Sequence, residues 1–143
     1  YIGQLRDSVW NFYDENGTLK SSERYLKGKK DGVCTDLFTD GKPARSVSFK
    51  AGVMNGPYSE YFATGKPKVE GVMKNGGFDG KVTVYFPEGT VYQKGTYVNG
   101  LKEGPWFTYD ESGKEVSKED FKRGNSLNPK FEQDTPIQVD PEK

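Results

Sequence analysis

"EGPWFTYDESGKE" spans Glu103–Glu115, and "NGPYSEYFATGKP" spans Asn55–Pro67, 48 residues earlier. Both run from Gly-Pro through an aromatic to a second aromatic three residues on, then to a Gly-Lys. Halving the interval to 24 aligns the rest of the chain: blocks open at Asp7, Asp31, Asn55, Asp79 and Glu103, with no insertion between them. Block position 11 is Gly17, Gly41, Gly65, Gly89 and Gly113. Position 22 is Gly28, Gly52, Gly76, Gly100 and Gly124. Position 2 is Gly32, Gly56, Gly80 and Gly104, with Ser8 in the first block. These columns hold 14 of the 18 glycines. A fixed period of this size is the mark of a repeat architecture.

The residues between the glycines decide the element type. Position 4 is Trp10, Cys34, Tyr58, Val82 and Trp106. Position 7 is Tyr13, Leu37, Tyr61, Tyr85 and Tyr109, and position 19 is Tyr25, Phe49, Met73, Tyr97 and Phe121. Short runs of aromatic and β-branched residues between Gly turns read as strands. The turns are "ENGT", "TDGK", "ATGK", "PEGT" and "ESGK". Asn-Gly and Asp-Gly suit hairpin turns, which need positive φ, and Gly adopts it without steric cost. Gly17, Gly41, Gly65, Gly89 and Gly113 are therefore predicted to have positive φ, and each block is one β-hairpin. The fold class is all-β: an elongated, twisted antiparallel meander of consecutive hairpins in 24-residue repeats, forming a single-layer open sheet. About ten strands would span roughly 50 Å along the stacking direction.

Composition agrees. The apolar set plus Gly falls below the roughly 45–50% of ordinary globular domains, while aromatics reach 14%. Such a chain buries repeat against repeat rather than around one centre. Formal charge is zero, from 21 basic and 21 acidic residues, which argues against a grip on nucleic acid, since that needs a cationic excess. No apolar run is long enough for a transmembrane helix. The repeat domain is read as residues 1–126, five full blocks plus a partial one at 1–6. Residues 127–143 lose the period, lack Gly and carry two Lys against four acids; they read as an acidic, Pro-containing tail. The chain opens without Met, part-way through a block, which points to an upstream segment and to the bacterial periplasm or envelope.

These residues resemble a known family. "DGKVTVYFPEGTVYQKGTYVNG", Asp79 to Gly100, is the cleanest copy of what looks like a MORN repeat in its bacterial variant form. The resemblance covers residues 7–126. The second block departs most, with Cys34, Leu37 and Ala51 where aromatics or Asn are expected. The resemblance implies a twisted hairpin meander acting as a scaffold for protein contact or, in some members, for membrane lipid. It also implies a link to YwqK-type antitoxins.

Candidate chemistry is sparse. The chain has no histidine, so Ser-His-Asp and Cys-His catalysis and the usual zinc sites are absent. No catalytic residue, cofactor or metal is expected, and the protein is read as a non-enzyme. Cys34 stands in an aromatic column and reads as a small buried hydrophobe. The position 1 acids lie two strands apart, roughly 9.5 Å, too far to share a proton or a calcium ion; they read as turn residues bonded to local backbone. Gly71 and Gly95, at position 17, leave room for a ring lying across the strand. The aromatic columns read first as packing, stacked rings holding hairpin to hairpin, and in their functional reading some of the rings line an open groove for a partner. By strand parity Trp106 points to one face and Phe107 and Tyr109 to the other, unless a bulge intervenes. Tyr61, Tyr85, Tyr109, Trp106 and Phe107 are the candidate partner-binding residues. The partner is expected to be a protein, with pairing between copies through sheet edges as a further route. An antitoxin and a membrane-associated module are the alternatives.

Overall fold

The computed structural model describes residues 8–128. The partial block expected at 1–6 and all but the first two residues of the tail expected at 127–143 lie outside the described residues. The strands are β1 Ser8–Tyr13, β2 Leu19–Leu26, β3 Lys29–Lys30, β4 Gly32–Leu37, β5 Pro43–Lys50, β6 Val53–Tyr61 and β7 Pro67–Lys74. There follow β8 Gly77–Phe78, β9 Gly80–Tyr85, β10 Val91–Val98, β11 Leu101–Tyr109, β12 Glu115–Lys122 and β13 Asn125–Ser126. They form one antiparallel sheet in chain order, with no helix among the described residues. The count exceeds the expected ten partly because β3 and β4 are separated only by Asp31, and β8 and β9 only by Asp79. Their counterparts β6 and β11 run unbroken.

Two kinds of turn alternate. In the longer one the Asp14 N–H donates to the Thr18 carbonyl at 2.9 Å, and the Gly17 N–H donates to the Asp14 carbonyl at 3.0 Å. The same pair of bonds recurs around Gly41, Gly65, Gly89 and Gly113. These five glycines have φ between +82° and +109°, while the residues before them, Asn16 and Asp40 included, keep negative φ. The loop is therefore a three-residue turn ending in a Gly bulge, not a two-residue turn with two left-handed residues. Side chains close it further: Asp110 Oδ1 accepts from the Ser112 and Lys114 N–H groups at 2.9 and 3.0 Å.

The two-residue, doubly left-handed turn occurs instead at block positions 21 and 22. Lys27-Gly28, Ala51-Gly52, Asn75-Gly76, Asn99-Gly100 and Arg123-Gly124 have φ of +50° to +54° at the first residue and +81° to +90° at the glycine. These turns are tied to one another. Gly52, Gly76, Gly100 and Gly124 each donate their N–H to a carbonyl two residues past the glycine of the preceding turn, at Lys30, Met54, Phe78 and Lys102, over 2.7–3.0 Å. The position 1 acids join this network. Asp79 Oδ1 accepts from the Asn99 N–H at 2.9 Å, and Glu103 Oε1 accepts from the Arg123 N–H at 2.9 Å. Their bonds are thus to backbone twenty residues on, in the adjoining turn, and not to local backbone as expected.

A second irregularity sits where one hairpin meets the next. Phe49 pairs with Met54 but Val47 pairs with Tyr58; Thr96 pairs with Glu103 but Lys94 pairs with Phe107. Two extra residues are thus inserted at block positions 1 to 4, around the positive-φ Gly56 (+115°) and Gly104 (+75°). Such a bulge bends its strand and raises the local twist. Here it lets the position 4 side chain lie back over the strand it pairs with. The buried residues follow from this: Cys34, Val47, Tyr58, Met73, Val82 and Trp106. Rings run on from Tyr58 through Phe78, Tyr97 and Trp106 to Phe121, with centroids 5.1–6.5 Å apart.

Candidate functional site

The two faces of the sheet differ in what covers them. On the first, position 4 meets positions 17, 19 and 24. Val47, Tyr58 and Met73 form its central cluster, flanked by Phe49, Met54, Val69 and Phe78. The room expected at Gly95 is taken by the Trp106 indole, within which a Cβ on Gly95 would fall. A Cβ on Gly71 would lie 2.8 Å from the Phe78 ring. Trp106 Nε1–H donates to the Thr96 carbonyl at 3.1 Å, so the buried indole is satisfied. Towards the N-terminal end this face turns polar. Arg45 pairs with Asp36 at 3.3 Å and Lys30 with Glu23 at 3.7 Å, and the Tyr25 hydroxyl donates to Glu23 at 2.7 Å. The Tyr58 hydroxyl donates to Glu60. Burial, followed by that bond, raises the Tyr58 phenol above its ordinary value. Cys34 is buried here, and its Sγ accepts from the Arg24 N–H at 3.4 Å.

The second face carries positions 5, 7 and 16. Tyr61, Tyr85 and Tyr109 stand in one row on it, all half-buried. The Tyr85 hydroxyl donates to Glu70 Oε1 at 2.7 Å, and this bond, with some burial, raises its pKa. Lys94 Nζ lies 5.7 Å from the Tyr109 ring centroid, and Lys118 Nζ lies 5.9 Å from that of Phe107. Four of the five candidate residues, Tyr61, Tyr85, Tyr109 and Phe107, are thus brought to one face. Trp106 is not: it is 4% exposed on the opposite face. The physical reason is the bulge, which folds position 4 into the space above Gly95. Trp10, in the same column, is 57% exposed because no hairpin lies on the outer side of β1 among the described residues. The lysines over the rings were missed in the sequence. Their signal was present in the columns: position 16 reads Ser22, Ser46, Glu70, Lys94, Lys118, and position 5 reads Asn11, Thr35, Ser59, Thr83, Phe107.

No group of three His, Cys, Asp or Glu among the described residues is placed to hold a metal ion. The MORN repeat variant pattern matches residues 6–27, 54–75, 78–99 and 102–123, more than half of the chain. The chain belongs to the MORN repeat variant family. MORN repeats are non-catalytic modules that generally bind proteins or membranes. The matched MORN stretches leave out residues 28–53, the block whose Cys34, Leu37 and Ala51 depart from the pattern. Its hairpin is built like the others all the same: β4 and β5 pair with the same one-residue shift before the turn, at Leu37 and Pro43, that Tyr85 and Val91 show in the cleanest MORN copy. No curated protein matches the chain.

Proposed function

We propose that this protein is a non-enzymatic scaffold that binds another protein through the face carrying Tyr61, Tyr85 and Tyr109. The observation that supports it is the row itself. Rings needed only for repeat-to-repeat packing belong on the other face, where position 4 and position 19 meet. Tyr61, Tyr85 and Tyr109 instead stand half-exposed, successive members roughly 9.5 Å apart by strand spacing. Tyr offers a large amphipathic contact at low entropic cost and is enriched among binding hot spots. The test is capture of partners by the tagged protein and by its Tyr61→Ser, Tyr85→Ser, Tyr109→Ser variant, both shown to be folded. Loss of a specific partner in the variant supports the reading, and full retention removes this face from it. The antitoxin role that the resemblance implies is a narrower form of the same reading, separated from it by whether the captured partner is a toxin.

One observation favours a second reading, association with a membrane surface. Leu26, Val53, Val72, Val98 and Leu101 are 40–48% exposed and lie towards the two-residue turns, where Lys27, Lys29 and Arg123 also stand. Exposed aliphatics among cations suit an anionic interface. Flotation with anionic liposomes, lost when Val98 and Leu101 are changed to Ser, is the result this reading requires.

A further inference from the structure

On the tyrosine face, the last two repeats enclose a shallow groove of about 330 Å³ lined by Lys81, Thr83, Lys94, Thr96, Pro105 and Phe107. It adjoins a second depression of about 370 Å³ that shares Lys94 and reaches Tyr109 and Thr90. Together they follow β10, flanked by β9 and β11. From Pro105 to Tyr109 the strand rise gives a length of about 14 Å, room for four or five residues of extended chain.

The groove is made by residues the repeat does not need. At position 5 the other blocks hold Asn, Thr or Ser, and only the last has Phe107; at position 16 the first two blocks hold Ser, and only the last two have Lys94 and Lys118. The earlier hairpins form the same register without them. Three lysines border this groove: Lys81 lines it from β9, and Lys94 and Lys118 stand beside the rings of Tyr109 and Phe107. Two of them lie over those rings at 5.9 and 5.7 Å. The carboxylates paired with groove residues in the register are Asp120 opposite Pro105, Glu115 opposite Tyr109, and Glu103 opposite Thr96, the last holding the Arg123 N–H. Glu70 is bonded to Tyr85.

We infer that this groove binds an extended, acidic segment of a partner protein, with carboxylates on Lys81, Lys94 and Lys118 and an apolar side chain against Phe107. The inference rests on the protein-binding reading above and names the chemistry of its ligand. A groove that follows one strand for about 14 Å fits an extended peptide better than the flat surface of a bilayer.

The probe is a short fluorescein-labelled peptide of alternating Glu and Leu, with its Lys-and-Leu counterpart as control, titrated against the full chain by anisotropy. Saturable binding of the acidic peptide, weakening as salt is raised, is expected. In the Lys94→Ser, Phe107→Thr, Lys118→Ser variant, binding should fall by about tenfold or more, as loss of a ring and two paired cations implies. Each substitution installs a residue that the same column already carries elsewhere, so the melting curve should be preserved. Lys94→Ser alone, matching Ser22 and Ser46, serves if the triple variant does not fold. The inference is overturned if the wild-type chain shows no saturable binding, if the basic peptide binds equally, or if the variants bind as well as the wild type. Groove-dependent capture of anionic vesicles without peptide binding also overturns it, in favour of a lipid surface. If the peptide fails while the tyrosine variant still loses its partner, the groove is wrong and the scaffold reading stands.

Discussion

Gly95 and Trp106 share one space, so neither can change alone. Gly95→Ala would drive a methyl into an indole that is 4% exposed. The expected cost is about 1–3 kcal/mol, the usual size of overpacking, read as a lower midpoint in thermal or denaturant melts. Ala51 is the opposite case. It holds φ of +50° where the cleaner repeats have Asn75 and Asn99, and a left-handed Ala is strained while Asn is tolerated there. Ala51→Asn is expected to stabilise the protein by about 0.5–1 kcal/mol. Asp110 makes a pH-dependent contribution. Bonds from the Ser112 hydroxyl and from the loop N–H groups lower its pKa below the ordinary 3.8. A depressed carboxylate stabilises the folded state above its unfolded pKa, and that contribution disappears as pH falls through the folded value. Asp110→Ala should therefore lower the melting temperature near pH 7 and make little difference once the pH is well below 3.8. At this scale the sequence was legible where a residue type answers to backbone alone, as in the glycine columns. The burial of Trp106 was not, because strand parity says which side a ring is on and nothing about what covers that side.

Each hairpin is closed by a loop whose last residue must be left-handed, and no β-branched side chain sits well there. Gly89→Val, at φ +109°, is expected to destabilise by about 1–3 kcal/mol. The measurement is a chemical melt against Val91→Ile as a control in the same hairpin. A shift no larger than the control's would show that the turn at Phe86–Thr90 carries no strain. The hairpins themselves were readable because glycine and aromatic columns repeat at fixed spacing. The two-residue bulge that opens the second to fifth blocks was not readable: repeated at each of these junctions, it leaves the period of 24 unchanged. It also decides the core, since without it Tyr58, Val82 and Trp106 would stand perpendicular to the sheet rather than lie across it. Strand number was overrun for the same reason, since Asp31 and Asp79 interrupt strands that in β6 and β11 continue past the bulge.

Across the whole molecule no side chain is fully sealed from solvent among the described residues, so stability comes from repeat resting on repeat. A fragment of two hairpins, Asp79 to Ser126, keeps the Gly95–Trp106 contact and the rings of Tyr97, Trp106 and Phe121, but loses Phe78 from beside Tyr97 and, with it, Tyr58 and Met73. Three or more repeats are needed in such arrays, so the fragment is expected to show no cooperative transition by circular dichroism, whereas the full chain does. The single-layer form was legible in composition, through scarce aliphatics and abundant Gly and aromatic residues. The groove was not, because it arises from single departures in separate columns that only the register brings side by side: Lys81 on β9, Lys94 on β10 and Phe107 on β11.

The tied two-residue turns have a mechanical consequence. Along that margin each repeat is held to the last by a backbone bond, Gly52 to Lys30, Gly76 to Met54, Gly100 to Phe78 and Gly124 to Lys102. Among the described residues no backbone bond joins one long loop to the next, and the link seen there is the Lys66 ammonium on the Glu88 carbonyl at 3.0 Å. The sheet is therefore stiff along one border and compliant along the other, and it flexes as a fan does, ribs spreading at the long loops while the spine keeps its length. Amide exchange should show this as slow exchange at Gly52, Gly76 and Gly100 beside faster exchange at Asn16, Asp40 and Ser112. A partner lying on the tyrosine row, which sits near the spreading side, would set the angle of the fan.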